Sequence, residues 1–301
     1  MSSYKNVIVV GASGSIGKII TEGLVSTSKF NVTVLSRKES TATFPRAVTV
    51  RVTDFSEADL VNALKGQDVV ISALGIEGFD QQKTIVDAAV HAGVKRFLPS
   101  EFSSSSEDPV VLQLVPLFEK KKDLIEYLKS KEKDGLSWTG LATGLLFDWG
   151  LANGFLGFDI AKRAATIWDD GNKKFTLTNE KQLARAVTSV LGHPDETRNR
   201  YLYVYSVETT QNEIVRSVEK ISGLNWTINS TSTEQQIAEA KRLLGAGDFS
   251  GGYILVRATT YGDVPGLRAN YAQAKDLANG ALGLEVESVE ETVKRVISQV
   301  P

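Results

Sequence analysis

Apolar residues in the first half of the chain come in short, nearly uncharged blocks. Val7-Ile8-Val9-Val10, Val32-Thr33-Val34-Leu35, Val48-Thr49-Val50-Arg51-Val52, Asp68 to Leu74, Val94 to Leu98 and Leu136 to Ala142 each read as a strand. Continuous apolar blocks suit strands covered on both faces. Between them the spacing is helical: Ile16 to about Leu24, Leu60 to Leu64 behind Ser56-Glu57-Ala58-Asp59, Gln81 to Ala92, and a long helix from about Leu117 to Glu132, opened by Pro116. The alternation predicts an α/β fold, a doubly wound parallel sheet of the Rossmann type with right-handed crossovers.

Beyond Thr143 the rhythm changes. Aromatics mix with glycine in Phe147-Asp148-Trp149-Gly150-Leu151 and Asn153-Gly154-Phe155-Leu156-Gly157-Phe158. Ala164 to Trp168 and Lys174 to Leu177 flank Asp169-Asp170-Gly171-Asn172, which predicts a hairpin. Asn179 with Gln182 predicts a capping box for a helix running to Leu191. Tyr201 to Tyr205 alternates like a strand able to return to the main sheet. A helix from Gln211 to Ile221, a strand from Asn225 to Asn229, and helices from Glu234 to Leu244 and between Tyr253 and Tyr261 follow. The last helix starts at Ser288-Val289-Glu290-Glu291, with Val293, Val296, Ile297 and Val300 facing inward. Residues 1–150, with about 180–206 returning to them, are expected to form the dinucleotide-binding domain. Residues 151–179 and 207–301 are expected to form a smaller mixed α/β substrate domain. Ser103 to Pro109 is read as a polar surface loop near a site, not a linker.

The composition narrows the chemistry. The 301 residues are 42% hydrophobic and 23% charged, with a net charge of −2, so a large core is available and nothing points to nucleic acid or an anionic membrane. There is no cysteine, which excludes disulfides, thiolate nucleophiles and cysteine-held metals. His91 and His193 are the only histidines, each placed like a helix-end residue, so a histidine metal site or a Ser-His-Asp triad is not expected. Met1 to Asn6 runs straight into the first strand, so a signal peptide is not expected, and no apolar run approaches the roughly 20 residues of a membrane span. A soluble cytoplasmic protein is the default expectation.

The first strand ends at Gly11-Ala12-Ser13-Gly14-Ser15-Ile16-Gly17. Strand, three glycines and helix start make a phosphate cradle: one glycine turns the chain, one lets the backbone approach a pyrophosphate, and one lets the helix pack on the sheet. An ordinary tight strand-to-helix turn is the alternative, and the flanking elements favour the cradle. NAD-binding sheets carry a carboxylate after the second strand; here Ser36-Arg37-Lys38 stands there instead. A guanidinium can hold a 2′-phosphate that a carboxylate would repel, which points to NADP(H). Asp54 either lies near the adenine or caps the next helix. Two Tyr-x-x-x-Lys pairs, Tyr127 with Lys131 and Tyr271 with Lys275, are discounted: the first shares the apolar face with Leu124 and Leu128, and the second follows the sheet.

Phe97-Leu98-Pro99-Ser100-Glu101-Phe102, followed by Phe118-Glu119-Lys120-Lys121 at a helix start, resembles the NmrA-like, isoflavone reductase-like branch of the atypical short-chain dehydrogenases. Trp138 to Gly144, Asp148-Trp149-Gly150-Leu151 and Asp170-Gly171 look like its fungal members, and the resemblance covers nearly the whole chain. It implies an NADPH-dependent reductase with a helix lysine beside the nicotinamide, moving a phenolic or carbonyl proton. The family places apolar residues three, six and seven positions after that lysine. Lys121 meets this with Leu124, Tyr127 and Leu128, so Lys121 is aligned as catalytic, with Lys120 and Lys122 on the surface. The implied cofactor residues are Gly11, Ser13, Gly14, Ser15, Ile16, Gly17, Ser36, Arg37, Lys38, Asp54, Ala73, Leu74, Gly75, Ser100, Phe102, Lys121, Leu146 and Phe147. Phe102, Trp149, Phe155 and Phe158 are the substrate candidates, and Trp168 is a further aromatic of the same pocket. Two departures stand out: Ser103 occupies a place the family gives to glycine, and Leu146 one that plant relatives give to phenylalanine. A dinucleotide-sensing regulator with a protein partner is the rival reading, against which the aligned lysine counts. A nucleotide-sugar epimerase or dehydratase would need the tyrosine–lysine pair in another place.

Overall fold

A computed structural model describes residues 4–299. The apolar blocks form strands β1 (Asn6–Val10), β2 (Asn31–Arg37), β3 (Thr49–Thr53), β4 (Val69–Ser72), β5 (Arg96–Leu98) and β6 (Ser137–Ala142). The helical stretches form α1 (Ser15–Ser26), α2 (Glu57–Leu64), α3 (Gln82–His91), α4 (Pro109–Leu114) and α5 (Glu119–Ser130). The long helix expected from Leu117 is thus shortened to α5, with 3-10 turns at Pro116–Phe118 and Glu132–Asp134 on either side.

The main sheet runs in the order Arg200–Tyr203, β6, β5, β4, β1, β2, β3. The pairings from β3 through β6 are parallel. The chain reverses its direction of growth between β1 and β4, the place where open sheets of this kind bind ligands beyond the strand C-termini. β1 lies inside the sheet, between β4 and β2, and Val7 to Val10 are fully buried, as an uncharged interior block should be. Arg96 is buried as well, at 1% exposure, although nothing in its surroundings in the sequence marks it. Its guanidinium donates to Ser137 Oγ (2.8 Å), Thr139 Oγ1 (2.8 Å), Thr197 Oγ1 (3.1 Å) and the Pro194 carbonyl (2.6 Å). A buried cation is tolerable when its donors are filled in this way.

The chain folds into two compact units. The first holds the residues up to Phe102, Glu119–Leu141 and Leu183–Leu202; the second holds Ser103–Phe118, Ala142–Gln182 and the chain from Tyr203 on. The division falls at Leu141, one residue before the end of β6. The second unit has two small sheets. In one, Phe175–Thr178 lies between Leu145–Leu146 (parallel) and Val207–Thr209 (antiparallel). In the other, Ala164–Trp168 lies between Phe158–Asp159 (antiparallel) and Thr227–Thr231 (parallel). Phe147, Phe158, Phe175, Trp168 and Tyr261 fill its core.

The structure departs from the sequence pattern in three further places. Ala164–Trp168 and Phe175–Thr178 do not form a hairpin, because they belong to different sheets. The turn between them serves other neighbours: the Asp169 carboxylate accepts from Thr233 N (2.8 Å) and Thr233 Oγ1 (2.5 Å), and Asn212 Nδ2 donates to the Asp170 carbonyl (2.8 Å). The polar loop is on the surface only in part: Glu107 and Pro109 are exposed, whereas Ser104, Ser105, Ser106 and Asp108 are buried. Its polar groups have interior partners, with Ser104 Oγ 2.6 Å from Thr259 Oγ1 and Ser105 N donating to Tyr271 OH (2.9 Å), which makes burial tolerable. The helix Glu180–Gly192 starts where Asn179 and Gln182 place it, but no capping box forms. Asn179 Nδ2 donates to Thr292 Oγ1 (2.8 Å), and Gln182 Nε2 donates to the Glu285 carbonyl (2.7 Å). Asp148 Oδ1 takes the Glu180 amide instead (3.0 Å). The Ser288–Glu291 box does form, ahead of Val289–Ile297, with Val293 and Val296 buried. Val300 lies outside the described residues.

Candidate active site

Gly11 leaves β1 at φ +81°, and Gly14 N bonds back to its carbonyl at 3.1 Å. α1 then begins with Gly14 as its N-cap, with no side-chain cap and no acidic residue in its first turn. Its opening amides are therefore available to an anion. The three glycines have different surroundings. A Cβ on Gly11 would lie 2.6 Å from the Ala73 carbonyl oxygen, and one on Gly17 would run into the carbonyl of Gly11. One on Gly14 would meet only the Gly11 carbonyl, at 3.5 Å, and otherwise project into open space. Ser13, Gly14 and Ser15 are exposed, Ile16 is half-buried and Gly17 is buried. The turn therefore has two glycines held by protein and one facing outward, which fits a dinucleotide pyrophosphate.

At the end of β2, Ser36 is half-buried and Arg37 and Lys38 are exposed. Lys38 is engaged by Asp54 at 3.5 Å. Asp54 Oδ1 accepts from Ser56 N at 2.9 Å, so Asp54 organises the turn before α2. The Ser56 bonds first, and the Lys38 charge after them, hold its carboxyl down at about 2. Arg37 makes no ion pair among the described residues, which leaves it as the cation open to a ligand at this strand end.

The ends of β4 and β5 are tied to β1. Ala73 N donates to the Val10 carbonyl (2.8 Å), and Ser100 Oγ donates to the Leu74 carbonyl (2.7 Å). Ser100 N donates to Gln82 Oε1 at 3.1 Å. Ala73 is buried, Leu74 half-buried and Gly75 exposed. The chain then turns sharply, with Glu101 N donating to the Pro99 carbonyl (2.8 Å) and Phe102 held at φ +25°. A bulky residue at positive φ is strained and persists only where its surroundings fix it.

Lys121, in the first turn of α5, meets this turn. Its Nζ donates to the Glu101 carbonyl at 2.7 Å and lies 5.5 Å from the centre of the Phe79 ring. Only 5% of Lys121 is exposed. Burial brings its pKa from an ordinary lysine's 10.5 to about 8, with the charge of Glu101 opposing the shift. Lys120 and Lys122 are exposed, and Lys120 is paired with Asp80 at 2.6 Å. Glu101 is itself buried, and Tyr201 OH donates to its Oε2 at 2.5 Å. Gly140 makes room for that tyrosine, since a Cβ there would lie 2.7 Å from its ring. Reading along the chain misses Tyr201, which is 100 residues from Glu101. The discounted tyrosines have other duties: Tyr127 OH donates to Asp87 (2.6 Å), and Tyr271 OH accepts from Ser105 N.

The remaining candidates belong to the second unit. Leu146, Phe147, Phe158 and Trp168 are buried. Phe147 and Phe158 have no exposed surface and pack in the core, Phe158 against Trp226, so the structure shows no face of either open to a ligand. Trp149 and Phe155 are half-buried, with ring centres 5.6 Å apart. Two residues not singled out in the sequence join them: Tyr253 stands edge-on to Phe155 at 6.1 Å, and the Arg257 guanidinium lies 5.8 Å from the same ring.

Among the described residues no group of three or more histidines and carboxylates could hold a metal ion, and no helix is long and apolar enough to cross a membrane. Residues 3–240 match the profile of the NmrA-like family. The chain is 36% identical over 294 residues to oxidoreductase aprR of Aspergillus flavus, covering 97% of this chain and 98% of that protein. Among solved structures, it resembles isoflavone reductase at a TM-score of 0.76 and 23% identity, covering 99% of this chain and 100% of that one. It also resembles the leucoanthocyanidin reductase–NADPH complex of Vitis vinifera, at a TM-score of 0.78 and 17% identity, covering 98% and 100%.

Proposed function

The chain belongs to the NmrA-like family, and on that premise we propose that it is an NADPH-dependent reductase acting on a small carbonyl-bearing or phenolic substrate. The observation that carries the proposal is Lys121: a buried amine of lowered proton affinity, in the same compact unit as an outward-facing glycine cradle. Ala73, Leu74, Ser100 and Glu101 link the two, since Gly11 packs on Ala73, Ser100 bonds Leu74, and Glu101 holds Lys121.

The α1 amides, with Ser13 and Ser15, hold the pyrophosphate, and Arg37 holds the 2′-phosphate. When bound, NADPH supplies the hydride. Lys121 Nζ carries the proton: its ammonium donates to the substrate oxygen as negative charge develops there. A pKa of about 8 suits this role, because at neutral pH the amine is protonated yet gives up its proton more readily than an exposed lysine. Burial of Lys121 under Phe79 keeps water from competing for that proton. The second unit, which holds Trp149 and Phe155, is assigned to substrate binding.

The test is NADPH oxidation by the purified protein across a panel of carbonyl and enol substrates, with Lys121→Ala as the control. Turnover should fall at least about 100-fold in that variant while NADPH affinity is retained. Equal turnover in the two proteins would remove Lys121 from the reaction.

A further inference from the structure

We propose that Tyr201 and Glu101 are positioning residues for Lys121: Tyr201 holds the Glu101 side chain, and Glu101 sets the place of the Lys121 amine and the charge it meets. The kinetic arm of this inference rests on Lys121 being the proton donor; the structural arm does not.

Three side chains from distant parts of the chain converge in the first unit. Lys121 reaches the Glu101 backbone carbonyl at 2.7 Å, and Tyr201 reaches the Glu101 carboxylate at 2.5 Å. Glu101 and Lys121 are 2% and 5% exposed, and Tyr201 6%. A single residue therefore presents its main chain to the lysine and its side chain to the tyrosine. The φ of +25° at Phe102 shows that the backbone carrying that carbonyl is held against its own preference. Structural packing alone does not call for a carboxylate inside this unit, where an apolar side chain of similar size would avoid the cost of desolvating a charge. A carboxylate does have an effect on Lys121: it favours the ammonium that burial disfavours.

Two carboxylates on the elements packed against α5 are engaged elsewhere. Asp80, on the 3-10 turn Ile76–Gln81, pairs with Lys120. Asp87, on α3, takes Lys131 at 2.7 Å together with Tyr127 OH. Lys120 and Lys122, beside Lys121 in sequence, are exposed. Glu101 is the charge that acts on the Lys121 amine, and Tyr201 is the donor that keeps its carboxylate in place.

The test reads the amine directly. In full-length protein labelled with ¹⁵N-lysine, the Lys121 Nζ resonance is identified by its loss in Lys121→Arg and titrated with pH. Glu101→Gln should lower its midpoint by about one pH unit, because the charge that favours the ammonium is removed, and Tyr201→Phe should lower it in the same sense but by less, because the carboxylate loses the donor that fixes its place. The high-pH limb of kcat/KM should move with the midpoint in each variant. An unmoved midpoint in folded Glu101→Gln and Tyr201→Phe, with only a lower Tm, would reduce both residues to scaffolding and overturn the inference. If Glu101→Gln does not fold, Tyr201→Phe decides the matter alone. A shifted midpoint combined with full turnover in Lys121→Ala would uphold the positioning while removing the proposed role of Lys121.

Discussion

Gly17 of α1 lies directly on the carbonyl of Gly11, so close that a side chain on Gly17 would overlap the Gly11 oxygen. Gly14 lies between them in sequence and faces away, with its nearest obstacle at 3.5 Å. Two substitutions of the same kind should therefore behave differently. Gly17→Ala forces α1 off the sheet, with an expected loss of about 1–3 kcal/mol of stability, visible as a lower Tm. Gly14→Ala should leave the Tm unchanged and weaken NADPH binding at least about 10-fold, because the methyl occupies the cradle. Fluorescence titration with NADPH alongside thermal unfolding separates the two. A Gly14→Ala protein that binds as tightly as the parent would place the pyrophosphate elsewhere.

Arg37 is the cation left open at the end of β2, since Lys38 already faces Asp54 at 3.5 Å. Arg37→Ala should cost about 10- to 100-fold in NADPH affinity, the worth of a charge-assisted hydrogen bond, and leave NADH affinity nearly unchanged. Lys38→Ala should do much less. Equal losses for both dinucleotides in Arg37→Ala would show that it does not read the 2′-phosphate.

Lys121 gives a pH dependence whose sign is fixed by burial. Its folded pKa is about 8, against 10.5 for an ordinary lysine. The active ammonium is lost as pH rises through about 8, so kcat/KM should fall tenfold per unit above that point. Stability should move the other way. The unfolded chain holds this proton more tightly, so the contribution of this group to stability rises between about pH 8 and 10.5, and its penalty is complete at pH 7. Lys121→Met should therefore be more stable than the parent at pH 7, by about 1–3 kcal/mol, while losing activity. Urea unfolding at pH 7 and pH 10 checks this; a Lys121→Met protein less stable at pH 7 would contradict it.

Arg96 should be costly to remove, being buried with its donors filled. Four hydrogen bonds join it to Ser137, Thr139, Thr197 and Pro194, which stitches β5 to β6 and to the segment after the helix Glu180–Gly192. Arg96→Met leaves those oxygens without donors and should cost about 3 kcal/mol or more in denaturant unfolding. A loss under about 1 kcal/mol would mean that water or neighbouring hydroxyls replace the guanidinium.

The elements legible in the sequence are those specified by neighbours in the chain. The block Val7 to Val10, the glycine spacing after it, and the box at Ser288 all act over a few residues. The elements that the sequence pattern misses depend on distant partners. Asp169 to Asn172 has the composition of a hairpin turn, but its polar groups are taken by Thr233 and Asn212. Ser103 to Pro109 looks like a solvated loop until Thr259 and Tyr271 arrive to satisfy it. Asn179 and Gln182 have the spacing of a box, yet both turn to the C-terminal segment, and Asp148 caps the helix.

By itself, the sequence determined the parallel sheet, the glycine turn at the end of its first strand and the lysine at the start of α5, because hydrophobic period and local backbone chemistry act between residues close together in the chain. Only the tertiary structure decided that Lys121 is buried, that the Glu101 carbonyl holds it, that Tyr201 holds Glu101, and that Phe147 and Phe158 belong to the core. Burial and charge depend on what surrounds a side chain in space, and those surroundings come from segments as far apart as residues 101 and 201.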